Sequence, residues 1–172
     1  MRQYVGVPAR EIGDRFDAQG ARLRELERRE PYTPWCHVSR KSGLTLPDGV
    51  ATPVPWDSEI EDPLGMHSLL ANTEQIAAPI SAFYICEIAL CLELITGVLR
   101  TRLWHNGTAV REWWDYANGT RIWAGHSATL HILAGEYVYW DARQDSGGPL
   151  DLLLFWPRAP MACVCRTAGG GG

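Results

Sequence analysis

Apolar and polar side chains alternate through "EYVYWDAR", residues 136–143. A strand with that pattern places Val138, Trp140 and Ala142 on one face and Tyr137, Tyr139, Asp141 and Arg143 on the other. The first face predicts a buried side. The second carries two tyrosines before it turns charged, which raises the question of what covers it. "WCHVSR" (35–40), "HSATLHIL" (126–133), "LDLLLFW" (150–156) and "MACVCR" (161–166) also read as strands. "EQIAAPISAFYICEIALCLEL" (74–94) is apolar on both faces, with Phe83, Ile85 and Ala89 opposing Tyr84, Ile88 and Leu90. Its length would allow a helix, but its aromatic and β-branched start and its position between strands predict β. "GVLRTRLWHNGTAVREWW" (97–114) contains Asn106-Gly107, a hairpin signal. Pro53 and Pro55 make "GVATPVPW" (49–56) an edge or irregular segment. "EIEDPLGMHS" (59–68) reads as loop, and Ala134-Gly135 and "DSGG" (145–148) read as turns. Short strands with turn signals at this spacing predict an all-β, two-sheet antiparallel sandwich.

Residues 9–30 follow a different period. Ile12, Phe16, Gln19, Leu23 and Leu26 step by four and three, the spacing of a helical seam. The seam is too short for a coiled coil on its own, and Gly13 and Gly20 each cost about 1 kcal/mol relative to alanine. It would close if joined to a body that already oligomerises; equally, the helix would lie singly on its own domain or on a neighbouring protein. Pro31 and Pro34 end it. The expected organisation is a helical attachment or oligomerisation segment over 1–32, a β-body over 33–167 and a glycine tail over 168–172.

Charge and composition narrow the function classes. Formal net charge is −4 and no basic block is present, which argues against nucleic acid as the main partner. Lys41 is the only lysine, so every other cationic chain is an arginine. No stretch approaches the roughly 18 apolar residues of a membrane span, and the first twenty residues lack the apolar core of a secretory leader. No membrane insertion is therefore expected. The five cysteines do not have zinc-finger spacing and read as mostly buried thiols.

No catalytic constellation stands out. "AGHSA" (124–128) lacks the nucleophile-elbow pattern, and His126 and His131 fall on opposite faces of a strand. A glycan hydrolase needs two carboxylates about 5–10 Å apart in a cleft, which no motif supplies. The expectation is a non-enzyme with no cofactor and no metal. The Asn106 and Asn118 sequons read as turns. Trp113, Trp114, Tyr116 and Trp123 sit in one aromatic-rich connection and have two readings. One is packing beneath the sandwich or an oligomer seam; the other is a platform for sugar rings or a protein groove.

Several segments, in order, resemble the C1q/tumour-necrosis-factor-like jelly roll. "IAAPISAFYICEIAL" (76–90) is similar to the family's approach to a core strand, and "RTRLWHNGTAV" (100–110) to its Asn-Gly hairpin. "LHILAGEYVYWDARQDSGG" (130–148) is similar to its leucine-rich strand, turn and long following strand. "WDSEIEDPLGMHS" (56–68) is similar to a segment in versions of this domain encoded by actinobacterial phages. There it follows a short Arg/Glu-rich helix, as "RLRELERRE" precedes it here. Ser81-Ala82 departs from the usual small glycine turn, and residues 113–125 are unusually rich in tryptophan. The resemblance implies a homotrimer of jelly-roll sandwiches that decorates a virion. With it, Tyr137, Tyr139, Phe83 and Ile85 are expected at the trimer interface, and Ile12, Phe16, Leu23 and Leu26 in the N-terminal seam. The implied role is host attachment at a tail tip or fibre, through a cell-envelope glycan or protein. The alternative is a capsid decoration or head spike anchored to other virion proteins by the N-terminal segment. Either protein would be made in the host cytoplasm and exposed on the particle surface.

Overall fold

The computed structural model describes residues 34–92, 97–117, 122–152 and 162–167. The chain divides after Tyr32 into two compact units, and every described residue belongs to the second. The helical seam of Ile12, Phe16, Leu23 and Leu26 and the glycine tail therefore lie outside the described residues.

In chain order the strands are β1 (Trp35–Ser39), β2 (Leu44–Leu46), β3 (Thr52–Pro53), β4 (Ser58–Glu61), β5 (Ile76–Ala77) and β6 (Ala82–Leu92). They continue as β7 (Gly97–His105), β8 (Thr108–Ala117), β9 (Ile122–Ile132), β10 (Tyr137–Asp145), β11 (Leu150–Leu152) and β12 (Ala162–Thr167). Two sheets result, as expected for an all-β sandwich. In the first, all eleven residues of β6 pair with β9, from Ala82 opposite Ile132 to Leu92 opposite Ile122. On the other side of β6, β12 runs beside Tyr84–Ala89 and β11 meets Leu92. Next come β1 and β2, and β4 lies beyond β1. The second sheet runs β8–β7–β10, with short β3 and β5 on the far side of β10.

Local chemistry explains the strand ends. Asn106 and Gly107 have φ of 47° and 77°, the left-handed pair that a two-residue I′ hairpin requires between β7 and β8. The "DSGG" turn is held from outside: Asp48 accepts the Ser146 and Gly147 N–H groups, and buried Gln144 donates to the Leu46 and Gly148 carbonyls. Residues 59–68 correct the loop reading in part. Ser58–Glu61 pairs with β1 as β4, and only the remainder loops, with the Asp62 carboxylate accepting the Met66 and His67 N–H groups. Asp57 does similar work for residues 41–42, accepting both backbone N–H groups and the Ser42 hydroxyl.

The inward faces of the two sheets form the core. Tyr84, Cys86, Ile88 and Leu90 on β6 are buried against Leu99, Leu103, Val138 and Trp140 from the second sheet. Val138, Trp140 and Ala142 thus occupy the side that their alternation predicts. Cys36, Cys165 and Cys86 form one register row across β1, β12 and β6, all buried. Burial, with the Asp62 and Glu59 charges adding to it, pushes the Cys36 thiol far above its ordinary range, so it packs as a small apolar group.

Candidate functional site

The two outer sheet faces have different chemistry. Residues directly opposite in an antiparallel pair project to the same side. On the first sheet, Phe83, Ile85, Glu87, Ala89 and Cys91 of β6 therefore share a face with His131, Thr129, Ser127, Gly125 and Trp123 of β9. Phe83 is 59% exposed and Trp123 54% exposed, at opposite ends of this strip. Small and β-branched chains lie between them. Glu87 and Arg166, 3.6 Å apart, form an exposed ion pair on the same face. Phe83 has a ring contact with His131, at 5.0 Å between centroids.

On the second sheet, the rings of β10 and β7 cover one another. Tyr137 stacks near Tyr139 at 6.4 Å, and Tyr139 lies parallel to Trp104 at 5.6 Å and 4°. The Arg102 guanidinium caps Trp104 at 4.6 Å, a cation–π contact. Arg102 also grips the Asp141 carboxylate with Nε and Nη2, and the Trp104 indole N–H donates to the same carboxylate at 2.9 Å. The hydrogen bond to Asp141 pushes Arg102 further up, keeping it charged. Burial, followed by the nearby Asp141 charge, raises the Tyr139 hydroxyl above its usual range. The tyrosine face of β10 is thus covered by its own neighbours.

The expected trimer-interface residues fall on two faces. Tyr137 and Tyr139 lie on the outer face of the second sheet, whereas Phe83 and Ile85 lie on the outer face of the first. The four predicted ligand aromatics are also divided, and Trp113, Trp114, Tyr116 and Trp123 are strand residues of β8 and β9. Trp113 turns inward, stacking on His126 at 5.0 Å and 11° and approaching Trp140 at 5.3 Å. His126 Nε2 lies 2.7 Å from the Asp115 carboxylate, which joins β9 to β8 across the sheets. Trp114 and Tyr116 project from the second sheet, 48% and 77% exposed. Trp123 projects from the first.

Sequence reasoning missed the arginines of this face. Arg100 lies in register between Arg143 of β10 and Trp114 of β8. Its guanidinium is 5.6 Å from the Trp114 ring centre, and its Nη1 is 3.8 Å from Glu112. Only the "RTR" alternation at 100–102 hinted at two arginines on one face; their partners depend on register. Among the described residues, no three His, Cys, Asp or Glu side chains are placed to hold a metal ion, and no helix is long and apolar enough to cross a membrane.

Solved structures of other proteins share this architecture. The globular domain of zebrafish complement 1qA aligns with a TM-score of 0.54 at 17% identity, over 77% of this chain and 94% of that one. Murine APRIL at pH 5.0 aligns at 0.61 and 10%, over 79% and 99%. Eiger TNF from S. frugiperda aligns at 0.57 and 10%, over 81% and 95%. The fold is a C1q/TNF-like jelly roll. No sequence-family model matches the chain, and no curated protein matches it by sequence. In this jelly roll, β1, β12, β6 and β9 build the sheet with the Phe83–Trp123 outer strip, and β10, β7 and β8 build the sheet that carries Arg100, Arg102 and Arg143.

Proposed function

We propose that the chain is a homotrimeric virion structural protein whose jelly roll projects from a phage tail tip or fibre and attaches to the host surface. The observation that carries the trimer is the outer strip of the first sheet. A solitary sandwich needs one apolar face per sheet, yet the outer face of this sheet also carries large apolar rings, with Phe83 and Trp123 more than half exposed on either side of the Glu87–Arg166 ion pair. The small residues Ala89, Gly125 and Ser127 between them let a neighbouring backbone approach closely. Phe83 and Ile85 remain in the proposed seam, joined by Ala89 and Trp123. Tyr137 and Tyr139 leave it, because their own sheet already stacks them. The virion setting is supported by the phage-like segment 56–68 and the Arg/Glu-rich stretch before it. In this reading residues 1–32 dock on other virion proteins and the body acts by binding, without catalysis.

Imaging intact particles labelled with an antibody to the jelly roll tests the location. Label at the tail tip is the expected result. Label spread over the head would replace the attachment role with capsid decoration, and particles without label would remove the virion assignment.

A further inference from the structure

We propose that Arg100, Trp114 and Tyr116 form a binding site for a carboxylate-bearing sugar on the outer face of the second sheet. The starting observation is an imbalance among three arginines. Arg102 has Asp141, gripped by two nitrogens, and Arg143 has Asp145, reached by Nε and Nη2. Arg100 makes no hydrogen bond to a described residue, although its side chain is only 14% exposed and its Nε is fully buried. Glu112 reaches Arg100 only through a loose ion pair, Oε2 at 3.8 Å from Nη1, while its Oε1 accepts the Trp114 indole N–H at 2.8 Å. Each nearby carboxylate is therefore engaged, while one guanidinium, largely withdrawn from water, holds only this loose ion pair and has an Nε without an acceptor. A largely buried guanidinium with so loose a partner gains when a closer acceptor meets its outer nitrogens. Its planar fork matches a carboxylate better than a spherical anion.

The adjoining residues specify what carries that carboxylate. Trp114 and Tyr116 are two apart on β8, so they project from the same side, about 7 Å apart along the strand. That separation is comparable to the size of one pyranose ring. Trp114 is cross-strand from Arg100, and Tyr116 is cross-strand from Val98, which leaves no charged neighbour directly opposite Tyr116. A sugar whose apolar ring face rests on these aromatics brings its carboxylate over Arg100. Few polar groups fixing the orientation of an otherwise apolar contact is the usual composition of a ligand site. Trp113 and Trp123, turned inward and onto the other sheet, take no part. For its biological setting the inference rests on the attachment reading; the binding itself is tested on the isolated protein.

The experiment is calorimetric titration of the full chain with trigalacturonic acid and with its methyl ester, in low salt. The acid is expected to bind, with the ester at least tenfold weaker. Arg100→Gln and Trp114→Ala should each weaken acid binding at least tenfold, and Arg100→Lys, which keeps the charge but loses the fork, should fall between. Lys41→Gln, in the exposed loop between β1 and β2, should bind as wild type. Thermal melts identify any variant that misfolds, and Arg100→Lys then carries the comparison. Equal binding of acid and ester, unchanged binding by Arg100→Gln, or no binding of either sugar overturns the site. Uronate binding together with normal adsorption by particles lacking this protein upholds the site and removes the attachment reading.

Discussion

Asp141 is 3% exposed, although its strand neighbours Tyr139 and Arg143 reach solvent, because Arg102 and the Trp104 indole converge on it. Asp141→Asn removes the charge that holds Arg102 over Trp104 and should cost about 1.5–3 kcal/mol, the range for hydrogen bonds to charged groups. Urea denaturation checks it. Gly97 has φ of 130°, and an added Cβ would lie 2.5 Å from the Asp145 carbonyl oxygen. Gly97→Ala should therefore cost about 1–3 kcal/mol in backbone strain alone, with a matching fall in Tm. Two carboxyls are held below their usual range. The Leu133 N–H, outweighing burial and helped by His105, holds Glu136 below the usual carboxylate range. At Asp57 burial acts upward, but the Ser42 hydroxyl and the Lys41 and Ser42 N–H groups outweigh it. A depressed carboxyl contributes fully above its unfolded value and loses that contribution as pH falls through its folded value. Tm should accordingly drop as pH is lowered below about 4, and Asp57→Asn should flatten that drop.

At the scale of elements, β6 and β10 respond oppositely to changes on their outer faces. Tyr139→Ala breaks a stack between Tyr137 and Trp104 and should lower stability, by about 0.5–1.5 kcal/mol beyond the lost area, without altering assembly. Ala89→Arg, opposite Gly125, should leave the monomer folded by circular dichroism yet block association. Alternation alone was enough to assign Val138 and Trp140 to the core and to separate Phe83 from Tyr84, because a side-chain period of two needs no knowledge of the partner strand. Asn106-Gly107 was equally readable, since the turn geometry is local. Sheet membership was not: grouping Tyr139 with Phe83 required knowing that β10 pairs with β7 and β6 with β9. The same gap hid Arg102, which neutralises the tyrosine face from the neighbouring strand. Trp113 and Trp123 read as a connection because a cluster of aromatic, Asn and Gly residues resembles loop composition, although both lie in long strands.

For the whole molecule, the exposed rings on the outer face of the first sheet are the ground for self-association. The second sheet stacks Tyr137, Tyr139 and Trp104 but leaves Trp114 and Tyr116 exposed. The first leaves Phe83 and Trp123 at the two ends of a strip of mostly small residues that also holds the Glu87–Arg166 ion pair. Burying that strip around a threefold axis would leave the arginine-bearing sheet outward, where Arg100 and Trp114 can meet a ligand. Sedimentation velocity of the full chain at low micromolar concentration tests this most directly. The account predicts one species at three times the chain mass, reduced to monomer by Ala89→Arg and unchanged by Tyr139→Ala. A stable wild-type monomer under those conditions would contradict it.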